Sequence, residues 1–210
     1  MRNIFRLFTN NTSSRRIMPI QYNGPTLPTP LAAKAALPTT SDENAQETAY
    51  FANGCYWGTE HLFRKVFIGK GLIDAQVGFM GGDTTNPTYR QVCKGNTNHA
   101  EAVILTYNPT IISYAELVEF HYRMHDPTEM NKQGPDVGTQ YRSVIFTTSD
   151  TQSQIAKQVT EEVQNTYIKD GKIATAILPA GEWWTAQDDH QDYLTNNPNG
   201  YECPTHFLHW

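Results

Sequence analysis

The sequence is short of cysteine, of charge and of long apolar runs, and each shortage removes a class of protein. Three cysteines in 210 residues is an odd and sparse count. That excludes a small secreted domain stapled by disulfides, and each thiol needs its own explanation. Charged residues make up 18% of the chain, below the ~25% usual in globular proteins. The net charge of -5 is the wrong sign for binding a phosphate backbone, so no nucleic-acid partner is expected. No uninterrupted apolar stretch approaches the ~20 residues of a membrane-spanning helix, and no membrane partner is expected either. A phosphate loop, a GxGxxG after a strand and a GxSxG are all missing. What is present, 39% hydrophobic residues with 11% aromatics, is enough for one real core.

Acid is absent from the start of the chain. Arg2, Arg6, Arg15, Arg16 and Lys34 all precede the first acidic residue, Asp42. On a helix, Ile4, Leu7 and Phe8 would share one side and Arg2 and Arg6 the other. A basic, acid-free, amphipathic start has the pattern of an organelle transit peptide; a disordered tail that merely lacks acids is the competing reading. Met18, just after Arg15 and Arg16, would serve as a second start. Localisation is therefore expected to be cytoplasmic, mitochondrial or both. From Gly24 to Thr40 the chain is rich in Pro, Thr and Ala without periodicity and reads as a linker. The expected division is a tail over residues 1–46 and a folded domain over 47–210.

Within the domain, apolar periodicity predicts a strand over Thr48–Asn53, a helix over 55–68 and strands over Leu72–Phe79 and Glu101–Tyr107. Ser113 and Glu116 form a capping box ahead of a helix with Leu117, Phe120 and Met124 on one face. A strand over Tyr141–Thr147, a helix over 150–168 and an apolar strand over Ile173–Leu178 complete the list. The order β-α-β-β-α-β followed by α-β predicts an α+β fold. It is a ferredoxin-like plait with an added helix and strand and a long C-terminal coil. In that plait the first strand lies between the third and the fourth. Cys55, Glu101 and Tyr141 then arrive at one sheet edge, together with the long connections over 80–100 and 126–140.

Cys55, in Gly54-Cys-Tyr-Trp-Gly58, sits where a strand turns into a helix. Backbone N–H groups and the helix dipole there would lower its pKa, and Tyr56 and Trp57 would supply an apolar wall. Glu101 stands at the mouth of an apolar strand, where desolvation would raise its pKa and make it a general acid near neutral pH; a solvated strand-end Glu is the competing reading. Tyr89 and Tyr141 offer phenolic donors to a substrate oxygen, although tyrosines at strand ends more often only pack. Asp136 lies in a turn, its default role. Cys203 lies in a turn-rich C-terminal segment read as mobile, from which a thiol can reach a sulfenic acid and condense with it. Cys93 is read as incidental. His121 and His125 have the i, i+4 spacing of a helical zinc pair but lack the zincin Glu, and Cys203, His206 and His209 are off metal-finger spacing. No metal is expected.

Five motifs, in order, carry a resemblance. They are Gly54-Cys-Tyr-Trp-Gly58 with Thr59 and Glu60, Asn86-Pro-Thr-Tyr-Arg90, His99-Ala-Glu-Ala102, Asp136-Val-Gly-Thr-Gln-Tyr-Arg142 and Asp188-Asp-His-Gln191. Together they resemble the peptide methionine sulfoxide reductase A family from about Thr48 to Trp210. The resemblance implies reduction of the S epimer of methionine sulfoxide, free or in oxidised proteins, and so a part in protein repair under oxidative stress. It implies that Cys55 attacks the sulfoxide sulfur while Glu101 protonates its oxygen, helped by Tyr89 and Tyr141. Tyr56 and Trp57 would hold the methyl group, and Asp136 would order the polar side of the pocket. Cys203 would then form a disulfide with Cys55, which thioredoxin reduces as an external reductant, with no bound cofactor and a monomeric chain. Two features depart from the family pattern. Tyr56 replaces the usual Phe, so its hydroxyl needs solvent or a partner, and no second recycling cysteine follows Cys203. A Cys/His hydrolase using Cys55 and a histidine such as His190, and a thiol or metal-binding module, are the rival readings.

Overall fold

The computed structural model describes residues 42–210 together with Leu37. The transit-like segment and nearly all of the linker lie outside the described residues.

Strand β1 (Glu47–Asn53) leads through Gly54 into helix α1 (Tyr56–Phe67), and β2 (Leu72–Met80) returns. The 80–100 connection carries a short helix α2 (Tyr89–Cys93) before β3 (Ala100–Tyr107) and helix α3 (Tyr114–Arg123). The 126–140 connection folds into a two-stranded hairpin, β4 (Lys132–Gln133) with β5 (Asp136–Val137). There follow β6 (Ser143–Thr147), helix α4 (Asp150–Thr166), β7 (Ala176–Pro179), β8 (Trp184–Thr185) and a last turn of helix, α5 (Tyr193–Asn196).

The main sheet has six strands in the order β7-β6-β1-β3-β2-β8. Its pairings are antiparallel except that of β6 with β7. β1 therefore lies between β3 and β6, with Phe51 opposite Val103 on one side and Ile145 on the other. The fold is a mixed α/β one around this mostly antiparallel sheet.

Strand alternation decides what each face meets. Phe51, Val77, Phe79, Val103 and Leu105 point to the face covered by helices and join Leu62, Phe63, Leu117 and Phe120 in the main core. The Phe51 and Phe63 rings stack with centroids 5.4 Å apart, and Phe63 meets Phe120 edge-on at 5.2 Å. Each such ring stabilises by roughly 1.5–3 kcal/mol through burial. The opposite face carries Ala52, Ala100, Ala102 and Val144, small residues over which Tyr50 and Trp183 lie. Glu101 falls in the phase of Val103 and Leu105, so it enters the helix-covered face. That placement of a carboxylate among apolar side chains is the starting point of the site.

Helix α3 begins with the capping box expected of Ser113 and Glu116: Glu116 N donates to Ser113 Oγ at 3.2 Å, and Ser113 N to Glu116 Oε2 at 2.9 Å. Two elements differ from the sequence reading. The strand expected from Tyr141 starts at Ser143, because Thr139–Tyr141 form a 3-10 turn. The last long strand starts at Ala176 rather than Ile173, and it is an edge strand with Leu178 41% exposed.

Candidate active site

Gly54 makes the site possible. Its φ of +106° is one that L side chains rarely adopt, and a Cβ there would run into the Gln133 side chain at 2.8 Å. The chain can thus leave β1 sharply and start α1 with Cys55 as its N-cap residue. The first turn of a helix has backbone N–H groups with no partner inside the helix. Here the Tyr56 N–H donates to Glu101 Oε2 at 3.2 Å, and the Trp57 N–H faces the Cys55 sulfur. One helix start therefore organises both the thiol and the carboxyl.

Electrostatics treat the two groups differently from expectation in one case and as expected in the other. Burial drives the Glu101 carboxyl up to about 8, opposed by the Tyr56 N–H and assisted by the Asp136 charge. It holds its proton at neutral pH. Its second oxygen, Oε1, is buried without a hydrogen-bond partner among the described residues. For Cys55 the expected lowering does not win. Burial and then the nearby Glu101 charge raise the thiol well above its usual value, and the Trp57 N–H only partly offsets them. A cysteine 6% exposed at a helix start is a desolvated thiol first and a dipole-stabilised one second.

The aromatic wall is larger than Tyr56 and Trp57. Trp57 stacks on Tyr193 with ring centroids 3.7 Å apart and on His190 at 5.6 Å, and His190 lies 4.3 Å from Tyr89. The 188–193 segment is tied down from beneath. The Gln191 side chain exchanges two hydrogen bonds with the Val77 backbone, at 2.8 and 2.9 Å, and Asp192 N donates to Glu60 Oε2 at 2.9 Å. Tyr193 was not singled out from the sequence; the Asp188–Gln191 motif two residues before it was the available signal. Burial keeps Tyr56, Tyr89 and Tyr141 well above the usual phenol range, so all three stay protonated donors. The Tyr56 hydroxyl finds no partner among the described residues.

On the polar side, half-buried Asp136 accepts a hydrogen bond from the Tyr201 hydroxyl at 2.8 Å, while its Oδ2 has no partner among the described residues. Buried polar atoms are almost always hydrogen-bonded in folded proteins. Unpartnered oxygens on Tyr56 and Glu101 beside one thiol are therefore placed where a polar ligand could meet them.

The C-terminal segment differs most from its reading. Cys203 is 1% exposed, its Sγ 3.6 Å from Gln133 O and 3.2 Å from Thr205 Oγ1. Cys55 and Cys203 are both free thiols, near enough that each feels the Asp136 charge and Cys55 feels that of Cys203. Cys93 is exposed at the end of α2, and it is closer to the chemistry than expected, lying against Tyr89 and within the field of Glu101. His190 packs against the rings of Tyr56, Trp57 and Tyr89. His121 and His125 share Ser143 Oγ, at 3.4 and 2.8 Å, inside the protein. Among the described residues no group of three His, Cys, Asp or Glu side chains is arranged to hold a metal ion.

Comparison with known proteins places this arrangement. Residues 47–208 match the family model described as peptide methionine sulfoxide reductase. A probable peptide methionine sulfoxide reductase of Schizosaccharomyces pombe is 48% identical over 165 residues, covering 78% of this chain and 97% of the relative. The crystal structure of Mxr1 from Saccharomyces cerevisiae in reduced form superposes with a TM-score of 0.74 at 40% identity, covering 80% of this chain and 95% of that one. Mxr1 in complex with Trx2 matches with a TM-score of 0.54 at 29% identity, covering 82% and 97%. Because the family model spans residues 47–208 and a relative is 48% identical over 165 residues, the chain belongs to the peptide methionine sulfoxide reductase family of oxidoreductases.

Proposed function

We propose that this protein reduces the S epimer of methionine sulfoxide, free and in oxidised proteins, through a sulfenic acid on Cys55. The observation that carries the reading is the Glu101 carboxyl. It is protonated at neutral pH, has one oxygen unpartnered, and is hydrogen-bonded to the residue next to the thiol. A sulfoxide oxygen gains basicity as its sulfur is attacked, and a neutral carboxylic acid in an apolar wall is the donor suited to it. The Cys55 sulfur attacks the substrate sulfur while Glu101 protonates the oxygen, with Tyr89 and Tyr141 as further donors. Trp57, walled by His190 and Tyr193, and the ring of Tyr56 take the methyl group. Asp136 orders the polar side. The oxygen ends on Cys55 as S–OH and the substrate leaves as the thioether, so the cysteine is oxidised and the sulfoxide reduced.

Cys203 then condenses with the sulfenic acid, water leaves, and a disulfide remains. Thioredoxin supplies the two electrons that reopen it, a reading supported by the complex of the related Mxr1 with Trx2. No bound cofactor takes part. The strand order, with β1 between β3 and β6, supports reading the sheet as a ferredoxin-like plait with an added helix and strand, and the chain works as a monomer.

The test is one turnover on methionine S-sulfoxide without reductant, followed by peptide mapping. One methionine per chain with a Cys55–Cys203 bridge is the expected result; no methionine from folded, reduced protein would overturn the reading. In Cys203→Ser the same single methionine should appear, but turnover driven by thioredoxin should stop. Normal cycling would instead hand the resolving role to Cys93 or to thioredoxin itself.

We also propose that residues 1–46 form a transit-like tail and 47–210 the catalytic domain, with the protein in mitochondria, the cytoplasm or both. N-terminal sequencing of the native protein should find a population starting after Met1; Met1 retained in every copy would exclude import with cleavage.

A further inference from the structure

Gly58 stands in the first turn of α1, where a glycine costs more backbone entropy than an alanine would. Its reason is a ring. A Cβ at Gly58 would run into the imidazole of His206, and one at Gly54 would come within 3.2 Å of His206 Nε2. The two glycines that flank Cys55 leave a notch, and His206 from the C-terminal segment fills it. The ring is 4% exposed. Its Nε2 lies 2.8 Å from the backbone oxygen of Asn53, the last residue of β1. A carbonyl can only accept, so Nε2 carries the proton. Burial lowers the pKa of the ring, in keeping with a neutral imidazole. Nδ1, facing Gly58, has no partner among the described residues.

The anchor is wired to the second thiol. His206 N donates to Cys203 O at 3.0 Å, closing a turn that fixes the spacing between ring and sulfur. The same turn rests on the β4–β5 hairpin: Cys203 Sγ faces Gln133 O, and a Cβ at Gly134 would meet Thr205 Cγ2 at 2.6 Å. We propose that His206 is the positioning residue of the disulfide step, and that its docking on Asn53 O holds Cys203 within reach of Cys55. The inference rests on the reading that these two thiols form the bridge. In that step the Cys203 sulfur attacks the Cys55 sulfenic sulfur, the S–O bond breaks and an S–S bond forms. The Cys203 proton leaves with the hydroxyl as water. A thiol tethered near its target reacts as if at high concentration, and the advantage is lost when the tether loosens.

The test uses the full chain mixed with methionine S-sulfoxide, quenched over time and read for methionine released and for the Cys55–Cys203 bridge. His206→Leu fills much of the notch without a donor; the bridge should form about tenfold more slowly or worse, with the methionine burst kept. His206→Gln carries an amide N–H near where Nε2 stood and should recover most of the rate. Gly58→Ala displaces the ring from the other side without changing the tail, and it should slow the bridge as His206→Leu does, which covers the case where the leucine variant fails to fold. A bridge formed at the unaltered rate or faster in His206→Leu and Gly58→Ala would overturn the proposal. Equal slowing by Leu and Gln would also overturn it, reducing His206 to packing. A wild-type protein that releases no methionine would overturn the functional reading and this inference together, a failure visible in a different readout.

Discussion

Replacing Cys55 by serine is expected to abolish methionine formation, a loss on the order of 10⁴-fold or more, as for an essential nucleophile. Nucleophilicity alone does not set the size of this loss. The first step transfers an oxygen to the attacking atom, and sulfur can carry it as S–OH whereas a serine oxygen would have to form an O–O bond. The substitution is nearly isosteric at a site 6% exposed, so the fold should survive, and circular dichroism of the variant would verify that. Methionine released per chain, measured after a single mixing with substrate, is the readout. Retained turnover in a folded Cys55→Ser protein would rule out thiol chemistry at this position. The raised pKa of Cys55 adds a condition on how the wild type works. A thiolate is disfavoured by burial and by a charged Glu101, in that order. The thiol therefore ionises most readily while Glu101 is neutral, which is also when Glu101 can donate. Attack and protonation are favoured by one and the same state of the pair.

Much of this was legible because the residues concerned contradict their surroundings. Glu101 stands in the apolar phase of Val103 and Leu105 at the mouth of the strand, where a buried and a solvated carboxylate both fit the pattern, and the surrounding core decides for burial. Ser113 with Glu116 announces a helix by local chemistry that no tertiary contact needs to help. Gly54 before Cys55 signals a turn that only glycine makes cheaply. The unread features depend on contacts distant in sequence. The polar, turn-rich stretch around Cys203 reads as mobile, yet His206 reaches Asn53, Cys203 meets Gln133, and the Arg123 guanidinium holds Trp210 O at 2.7 and 3.0 Å. None of these pairings leaves a periodic trace. The hairpin at Lys132–Val137 is two residues per strand, too short for alternation to show. The pKa of Cys55 was misjudged for a related reason: the helix start is local and readable, whereas the desolvation that outweighs it is supplied by the whole surrounding core.

Glu101→Gln should slow methionine formation by ~10²–10⁴-fold, the usual worth of a general acid, while leaving the later disulfide step nearly untouched. Glutamine keeps the size of the side chain and can still accept from the Tyr56 N–H, so the start of α1 should stay in place. What it lacks is a proton to give. The pH profile sharpens the expectation. The Glu101 carboxyl is raised to about 8 by burial; it is protonated below that value and ionises as the pH rises through it. The ionised form cannot donate, and its charge also opposes ionisation of Cys55. The wild-type rate of the first step should therefore fall above about pH 8. The apparent value belongs to the coupled pair rather than to Glu101 alone. In Glu101→Gln that descending limb should disappear, and the small remaining rate should rise with pH as the thiol ionises. Rapid-quench measurement of methionine formation across this range, with disulfide formation followed in the same samples, separates the possibilities. A Gln variant that keeps the limb would assign it to another group. Equal slowing of both steps would mean that Glu101 holds the site together rather than supplying its proton.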